Sequence, residues 1–201
     1  MSGKRKRVVG EDSDNGKKVK SNGHWQNGLL SAMEDPELIV QSNPKLVVIK
    51  DKFPKAEFHY LIIPREDINS LKAVDQSHAG LLKYMHNIAQ QLVDEPRHKS
   101  RCFKMGYHAE ASMARLHMHV ISDDMNSPCL KTKKHWNSFT TEFLMDSKLI
   151  LEDVEKHGKV KVFSTEYCKR LMDTPLKCHK CDFVPKTMPD LKKHIVKHIT
   201  K

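Results

Sequence analysis

The chain has 201 residues, a length that fits one domain of roughly 150 residues plus a small module rather than two full domains. Hydrophobic residues make up 38% of the chain and charged residues 30%, and no apolar run approaches the ~18 residues that a membrane helix needs, so the composition excludes a membrane-spanning role and predicts a globular protein. The formal net charge of +10 lies at the two ends, with +4 in residues 1–23, +6 in residues 167–201 and a neutral middle, which is typical of a protein that meets a polyanion such as nucleic acid.

Residues 1–23 are predicted to form a disordered basic tail, because they contain little apolar material and two basic clusters, at 4–7 and 17–20. No apolar stretch follows the first cluster, so a secretory signal is not expected and the protein should stay inside the cell. The two clusters suggest a nuclear localisation signal and hence a nuclear protein. A non-specific electrostatic arm and simple solvated tails are the alternatives.

A domain of mixed α and β structure is predicted over residues 24–166. Helical spacing of apolar residues predicts helices at 24–34, from Asp75 or Ser77 to Pro96, and at 139–157 with Gly158 at the end. Buried runs and period-two alternation predict strands near 46–49, 58–63, 103–107 and 116–120, with a short extension at 160–163. The expected fold class is therefore α+β with a mainly antiparallel sheet.

The segment from Arg115 to Ile121 is where chemistry is expected. In a strand, Arg115, His117 and His119 would project from one face, with the two imidazoles ~7 Å apart. Such a pair can hold a metal, with His108 as a third ligand, or a phosphate, with extra donors from Ser112 and Arg115. The guanidinium beside the pair disfavours a cation, so phosphate chemistry is the favoured interpretation, and purely structural histidines are the remaining alternative.

Several segments together resemble the aprataxin family, a branch of the histidine-triad (HIT) superfamily. The matching segments are residues 23–25, 49–56, 106–108, 112–113, 117–122 and 127–139, together with His59. The run Lys133–Phe139 is the most specific, because ordinary HIT hydrolases do not share it. The resemblance extends from about residue 23 to the C-terminus. No forkhead-associated domain, which longer members carry, precedes it, so recruitment through phosphorylated repair scaffolds is not expected.

The resemblance implies an enzyme that removes AMP from abortively adenylated 5′ ends of DNA and restores a 5′-phosphate for ligation in single-strand break repair. It implies His117 as the nucleophile of a covalent histidine-AMP intermediate, a role that a neutral imidazole can fill near pH 7. It also implies that His119 and Ser112 hold phosphate oxygens, that His108 lies on the leaving-group side, and that Asp51 accepts hydrogen bonds from the ribose. The other implied nucleotide-binding residues are Lys50, His59 and Met113, and catalysis is expected to need no metal.

Two positions depart from the family pattern. Arg115 stands where the first histidine of the triad is expected, and Arg cannot act as an acceptor for the nucleophile's other nitrogen. Either a backbone carbonyl fixes the tautomer of His117, or His108 and Arg115 share the stabilisation of charge. Glu57 stands where a basic residue is more usual, and the sequence does not predict its effect.

Residues 167–201 contain a C2H2 zinc-finger pattern. Cys178, Cys181, His194 and His198 have the ligand spacing, and a closed four-ligand site is expected to hold structural Zn²⁺. His179 is expected to face solvent, and Phe183 or Val184 to replace the usual core aromatic at Pro185. The five cysteines include this pair, so disulfides are not expected.

The expected partner is double-stranded DNA with a 5′-adenylated nick or end, AMP is the expected product, and a monomer is expected. Phosphate-backbone contacts are predicted from the finger and from the segment after the histidine strand. The predicted DNA-binding residues are Trp25, Phe53, Lys55, Lys131, Lys133, Lys134, His135, Lys186, Lys192, Lys193 and Lys197. A general HIT hydrolase of small adenylated metabolites and a non-catalytic DNA-binding zinc-finger protein are the alternative functions.

Overall fold

A computed structural model of the chain describes residues 28–199. The predicted basic tail with its localisation signal, and Trp25, lie outside the described residues. None of the helices within residues 28–199 has the length and apolar character needed to span a membrane.

The centre of the molecule is a six-stranded antiparallel sheet with the strand order β1-β2-β3-β5-β4-β6. Four of the strands match predicted ones, whereas β1 and β6 were not predicted. The strands are β1 (Ile39–Ser42), β2 (Leu46–Lys50), β3 (His59–Pro64), β4 (Phe103–His108), β5 (Met118–Ser122) and β6 (Leu144–Asp146). All residues of β3 and β5 are buried, as expected for strands at the middle of a sheet that is covered on both faces.

Six helices surround the sheet within the described range. They are α1 (Gly28–Glu34), α2 (Ala79–Val93), α3 (Lys133–Thr140), α4 (Ser147–His157), α5 (Thr165–Asp173) and α6 (Met188–Ile195), with short 3-10 turns at Leu71–Ala73, Gln76–His78, Pro96–His98 and Val196–His198. Asp75 caps the turn before α2, as its sequence position predicts. Gly158 ends α4 with a left-handed φ of 70°, which glycine adopts without strain.

The two faces of the sheet are covered differently, and this asymmetry places the site. On one face, Val48, Ile62, Met118 and Val120 pack with apolar residues of α2 and α4 in the largest core cluster. On the other face, Val47, Ile49, Leu61 and Ile63 pack against Leu29 of α1. His119 belongs to this second face because it pairs with Leu61 across β3 and β5.

The predicted helix at 139–157 is wrong in its first third. Helix α3 ends at Thr140, where the Thr140 and Thr141 hydroxyls donate to the carbonyls of Trp136 and Asn137, and residues 144–146 form the edge strand β6. Pairing with β6 satisfies the backbone groups on the outer edge of β4, which would lack strand partners if residues 144–146 were helical. Asp146 then caps α4 by accepting from the backbone N–H of Lys148 at 2.8 Å.

The C-terminal module packs directly against the sheet domain. Cys178, Leu191 and Ile195 share one buried cluster with Trp136 and Phe139 of α3. The boundary predicted at 166/167 falls inside α5, which places buried Cys168 against Ala109 and Phe143. The finger is therefore continuous with the domain core rather than tethered to it.

Candidate active site

A cavity of about 1000 Å³ opens on the sheet face opposite α2. Three histidines from two adjacent strands stand at its centre: His108 ends β4, His119 lies in β5, and His117 immediately precedes β5. Their ring centroids are 4.2 Å apart for His108 and His119 and 5.0 Å for His117 and His119. All three therefore converge on one small volume, and the alternation of the sequence predicted this for His117 and His119.

The hydrogen bond of His117 defines which of its nitrogens is reactive. Its Nδ1 lies 2.9 Å from the backbone carbonyl oxygen of Arg115. A carbonyl can only accept, so Nδ1 carries the proton and Nε2 carries a lone pair. A backbone carbonyl therefore fixes the tautomer, which was the first of the two possibilities that the sequence left open.

A second chain of hydrogen bonds orients His119. The backbone N–H of Lys55 donates to His59 Nδ1 at 3.2 Å, so the proton of His59 is on Nε2. That Nε2 lies 3.0 Å from His119 Nδ1, which leaves the proton of His119 on its own Nε2. This Nε2 is buried and has no hydrogen-bond partner within residues 28–199. His119, which lines the cavity, thus carries its proton on a nitrogen that has no acceptor within the described residues.

Burial keeps these histidines neutral. Desolvation lowers the pKa of His59 to about 4, partly opposed by the Asp51 carboxylate, and lowers the pKa of His108 to about 3 with help from His117. Burial also lowers the pKa of His117, and that of His119 well below its usual value. At neutral pH the cluster therefore offers unprotonated imidazoles, one as a nucleophile and one as a hydrogen-bond donor.

Arg115 does not lie where the sequence predicted. Its backbone has a left-handed φ of 81°, and β5 begins only at Met118, so the alternation that would bring Arg115 onto the histidine face is broken. The guanidinium instead contacts the Asp67 carboxylate at 3.3 Å and backbone carbonyls of the segment after β3. The prediction that the Arg115 guanidinium takes part in phosphate binding is therefore wrong.

One end of the cavity is apolar and suits a nucleoside. Leu29, Ile49, Leu61 and Met113 line it, and Asp51 lies nearby. The Asp51 Oδ1 accepts from the backbone N–H of Phe53 at 2.7 Å, which leaves acceptor capacity on the carboxylate. Ser112 also lines the cavity, whereas Lys50 is exposed at the end of β2 and does not.

Part of the cavity lining is basic. Lys55, Lys131, Lys134 and His135 all line the cavity, and the side chain of Phe53, which is half exposed, lies at the same opening. Lys133 does not line the cavity, and its ammonium donates to the Asp173 carbonyl at the end of α5, at 2.9 Å. Of the five residues predicted to contact DNA at position 55 and in segment 131–135, all but Lys133 thus border the site.

Aromatic and acidic residues that the sequence analysis did not single out complete the walls. Phe139 lies within 5.2 Å, centroid to centroid, of the rings of His59 and His119, and within 4.8 Å of His108. Phe143, Cys129 and Glu110 also line the cavity. Phe139 follows Trp136 by three residues, a spacing that indicates a buried helix face. Its contact with three histidines depends on the long-range packing of α3.

Glu57, the second departure from the family pattern, pairs with Arg101. Its Oε2 accepts from the Arg101 guanidinium at 2.6 and 2.8 Å. This ion pair joins the start of β3 to the loop before β4, outside the cavity.

The zinc-ligand atoms of the finger converge. Those of Cys178, Cys181, His194 and His198 all lie within 4.8 Å of one another. The sulfur of Cys181 is 3.1 Å from His194 Nε2, and the two Nε2 atoms are 3.1 Å apart. Two thiolates and two imidazoles at such distances fit the tetrahedral shell of Zn²⁺, where the metal would fix the loop against α6.

The finger residues contact the domain more than the sequence predicted. His179 does not face solvent: its Nε2 donates to the Asp123 carbonyl at 2.6 Å, and its ring lies 5.1 Å from that of Trp136. The Lys192 ammonium donates to the Ser127 carbonyl at 2.8 Å. Lys186, Lys193 and Lys197 remain exposed, Phe183 stacks on His194, and Pro185 is buried.

Comparison with known proteins now adds to this geometry. Residues 24–135 match the family described as scavenger mRNA decapping enzyme C-term binding, and residues 140–201 match the C2HE / C2H2 / C2HC zinc-binding finger. Aprataxin of Gallus gallus is 49% identical over 89% of this chain, and aprataxin of Danio rerio is 45% identical over 92%. The chain belongs to the aprataxin family of histidine-triad proteins.

The coverage of the relatives and one solved structure complete this comparison. The chain spans 56% of the length of each of these two relatives, so about half of each aprataxin is matched. The crystal structure of the aprataxin ortholog Hnt3 in complex with DNA matches with a TM-score of 0.72 at 23% identity, and covers 87% of this chain and 94% of the other. That likeness confirms the HIT-like fold with its C-terminal finger for this aprataxin-family chain.

Proposed function

We propose that this protein removes AMP from adenylated 5′ ends of DNA through a covalent histidine-AMP intermediate. The observation that carries the proposal is the pairing of two opposite hydrogen-bonding groups in one cavity. His117 presents a lone pair on Nε2, since its Nδ1 is bound to a carbonyl. His119 presents an unpartnered N–H beside it. A nucleophile next to a donor for phosphate oxygen suits displacement at phosphorus.

The first step forms a bond between His117 Nε2 and the phosphorus of the adenylate. The bridging P–O bond to the DNA 5′-phosphate breaks, and the DNA leaves with that electron pair as a 5′-phosphate. His119 Nε2–H and Ser112 would hold the non-bridging oxygens, while His108 faces the leaving side. Because the leaving group is already a stabilised phosphate, a strong general acid is not required, in agreement with the low pKa of about 3 at His108.

The second step returns the enzyme to its starting state. Water attacks the same phosphorus, the P–N bond breaks, and its electron pair returns to His117 Nε2. AMP leaves with the incoming hydroxyl oxygen, and the proton of water passes to solvent. Asp51 and the apolar end of the cavity would hold the ribose and the adenine through both steps.

The charge distribution supports a DNA substrate rather than a small metabolite. Lys55, Lys131 and Lys134 line the cavity, where they would contact phosphates of the leaving strand. Exposed Lys186, Lys193 and Lys197 extend positive charge along the finger. A small adenylated substrate would reach none of the finger lysines, whereas a polyanion gains from each contact. The basic tail is outside the described residues, and the nuclear location that it suggests remains a prediction.

A nicked duplex with a 5′-adenylate tests the chemistry. We expect the wild type to release AMP and leave a 5′-phosphate, and we expect His117→Ala to lose at least about 10³-fold in rate, because no other group supplies the nucleophile. His157→Ala is the matched control, since His157 is exposed at the end of α4. Acid-quenched single-turnover reactions should trap AMP on the wild-type protein and none on His117→Ala.

A mononucleotide carrying the same 5′-adenylate separates the alternatives. The proposal predicts that kcat/KM on the DNA falls steeply with salt, while that on the mononucleotide changes little. Equal salt dependence and equal kcat/KM on both would favour a general nucleotide hydrolase. Binding of the duplex without AMP release from either substrate would instead indicate a non-catalytic DNA-binding protein.

A further inference from the structure

We propose that Arg115 is a positioning residue whose side chain holds its own backbone in the conformation that orients His117. The inference rests on the proposed function, in which His117 Nε2 is the nucleophile. Arg115 touches neither the cavity nor the reacting atoms: its side chain lies on the far side of its backbone, and it is absent from the cavity lining. Its effect on chemistry must therefore pass through the carbonyl that binds His117 Nδ1.

The Arg115 guanidinium donates hydrogen bonds to three successive backbone carbonyls at the end of β3. Its Nη2 donates to the carbonyl oxygens of Pro64, Arg65 and Glu66 at 3.2, 3.0 and 3.1 Å. Nη1 is 3.3 Å from the Asp67 carboxylate, and the side chain is only 13% exposed. A planar group with several fixed donors can hold such a cradle in one geometry, which a histidine ring with at most two donors cannot.

The backbone of Arg115 needs this support. A φ of 81° lies in the left-handed region, where Cβ comes too close to the following carbonyl oxygen, so the conformation is strained for an arginine. The adjoining backbone is bound to the same loop: the Arg115 N–H donates to Asn69 and the Leu116 N–H to Ile68, at 3.1 and 2.6 Å. Side chain and backbone together fix residues 115–116 on the segment 64–69.

The consequence is a defined tautomer at the nucleophile. With the conformation held, the Arg115 carbonyl points at His117 Nδ1 and the lone pair stays on Nε2. Without the guanidinium, residue 115 can relax toward negative φ, its carbonyl turns away, and His117 can protonate on either nitrogen. The main-chain carbonyl of Arg115 thereby orients His117, which the Arg115 side chain cannot do because a guanidinium has no hydrogen-bond acceptor.

The test compares Arg115→Ala and Arg115→Gly with the matched control Arg65→Ala. Arg65 leaves from the same end of β3, and its guanidinium also binds a backbone carbonyl, that of Asn43, at 2.8 Å. The Arg65 side chain makes no hydrogen bond to residues 115–117, and its backbone carbonyl, which accepts from Arg115, is kept in Arg65→Ala. The glycine variant accommodates the left-handed φ without strain, so it should fold even if the alanine variant does not.

Ring ¹⁵N shifts of His117 in the substrate-free protein report the tautomer. We expect Nδ1–H alone in the wild type and in Arg65→Ala, and a mixture of tautomers in both Arg115 variants. On the 5′-adenylated nick, kcat should fall about 10- to 100-fold in Arg115→Ala, less in Arg115→Gly, and little in Arg65→Ala, with the Kd for AMP unchanged throughout.

Three results would overturn the proposal. An unchanged tautomer and kcat in folded Arg115→Ala, where residue 115 is free to relax toward negative φ, would show that the guanidinium positions nothing. A kcat in Arg115→Gly that falls as far as in Arg115→Ala while the tautomer stays unchanged would show the same. A Kd for AMP weakened tenfold or more in Arg115→Gly would show instead that the guanidinium contacts the phosphate. Because the tautomer is read without substrate, failure of the wild type to release AMP would count against the proposed function alone.

Discussion

At the scale of residues, one amino-acid type performs several tasks because its hydrogen-bond partners differ. His117 donates from Nδ1 to a carbonyl and keeps Nε2 reactive, whereas His119 receives at Nδ1 from His59 and keeps a proton on Nε2. His98, by contrast, is fully buried between the Leu92 carbonyl and the Tyr60 hydroxyl and lies in no part of the cavity lining. The hydrogen-bond partners of each histidine, and not the residue type, therefore determine its role.

The buried histidines should make stability depend on acid. The pKa of His59 in the folded state is about 4, against about 6.5 for an unfolded chain. Below pH 6.5 the unfolded state binds the extra proton first, so this contribution to stability is complete above about pH 6.5 and is lost as pH falls toward 4. Each such histidine should reduce the free energy of unfolding by about 1.4 kcal/mol per pH unit in that window.

Urea unfolding of the wild type and His59→Gln, at several pH values between about 6.5 and 4.5, measures this effect. The slope of unfolding free energy against pH should be smaller in His59→Gln by about 1 kcal/mol per pH unit. His157→Gln, at an exposed histidine, should keep the wild-type slope and controls for acid release of zinc. Identical slopes in all three proteins would show that His59 is not held neutral.

At the scale of elements, helix α3 joins the active site to the C-terminal module. Its Phe139 packs on the histidine rings of the candidate site and shares one buried cluster with Trp136 and with residues of the finger. The Trp136 indole donates to the Lys177 carbonyl at 3.1 Å, and the Asn137 amide donates to the carbonyls of Met172 and Thr174 at 2.9 and 2.8 Å. A helix of eight residues thereby contacts both the histidine cluster and the C-terminal module.

Asn137→Ala should destabilise the protein by about 1–3 kcal/mol, because two partly buried carbonyls at the end of α5 lose their donor. Chemical denaturation with a two-state fit gives the change in unfolding free energy. Lys134→Ala on the exposed side of the same helix is the control and should change stability by no more than about 0.5 kcal/mol. Equal, small effects of both variants would contradict the anchoring role of Asn137.

At the scale of the whole molecule, the finger and the sheet domain share one buried cluster and should unfold together. Leu191 and Ile195 of the finger are almost fully buried against residues of α3 and β5. Removing zinc should therefore expose surface that belongs to both modules. The family models, which meet between residues 135 and 140, also place α3 at this junction.

Calorimetry with and without a chelator measures this coupling. Exposure of the Leu191 and Ile195 side chains should reduce the free energy of unfolding by about 3 kcal/mol. The temperature of a single unfolding transition should then fall by about 6–12 °C. Cys181→Ser should reproduce the shift, and Cys102→Ser, at an exposed cysteine outside the ligand set, should not. A separate low-temperature transition, with the main transition unmoved, would show that the finger folds independently.

Local patterns accounted for much of the fold and site. The apolar spacing of α2, the strands β4 and β5, and the capping residues Asp75 and Gly158 are all confirmed. The zinc ligands were also identifiable, because two pairs at fixed spacing can meet without knowledge of the rest of the chain. Strand β6 was missed because its pairing with β4 lies almost forty residues away and overrides a helical pattern.

The sequence by itself determined which side chains could carry chemistry: two histidines on one face, a basic segment after them, and a closed metal site. These follow from periodicity and spacing, which are properties of adjacent residues. Tertiary structure alone decided that His59 reaches His119, that Phe139 covers three rings, and that Arg115 turns away from the cavity. Each of these depends on contacts between distant segments, where one left-handed residue redirects a side chain and no local pattern records the change.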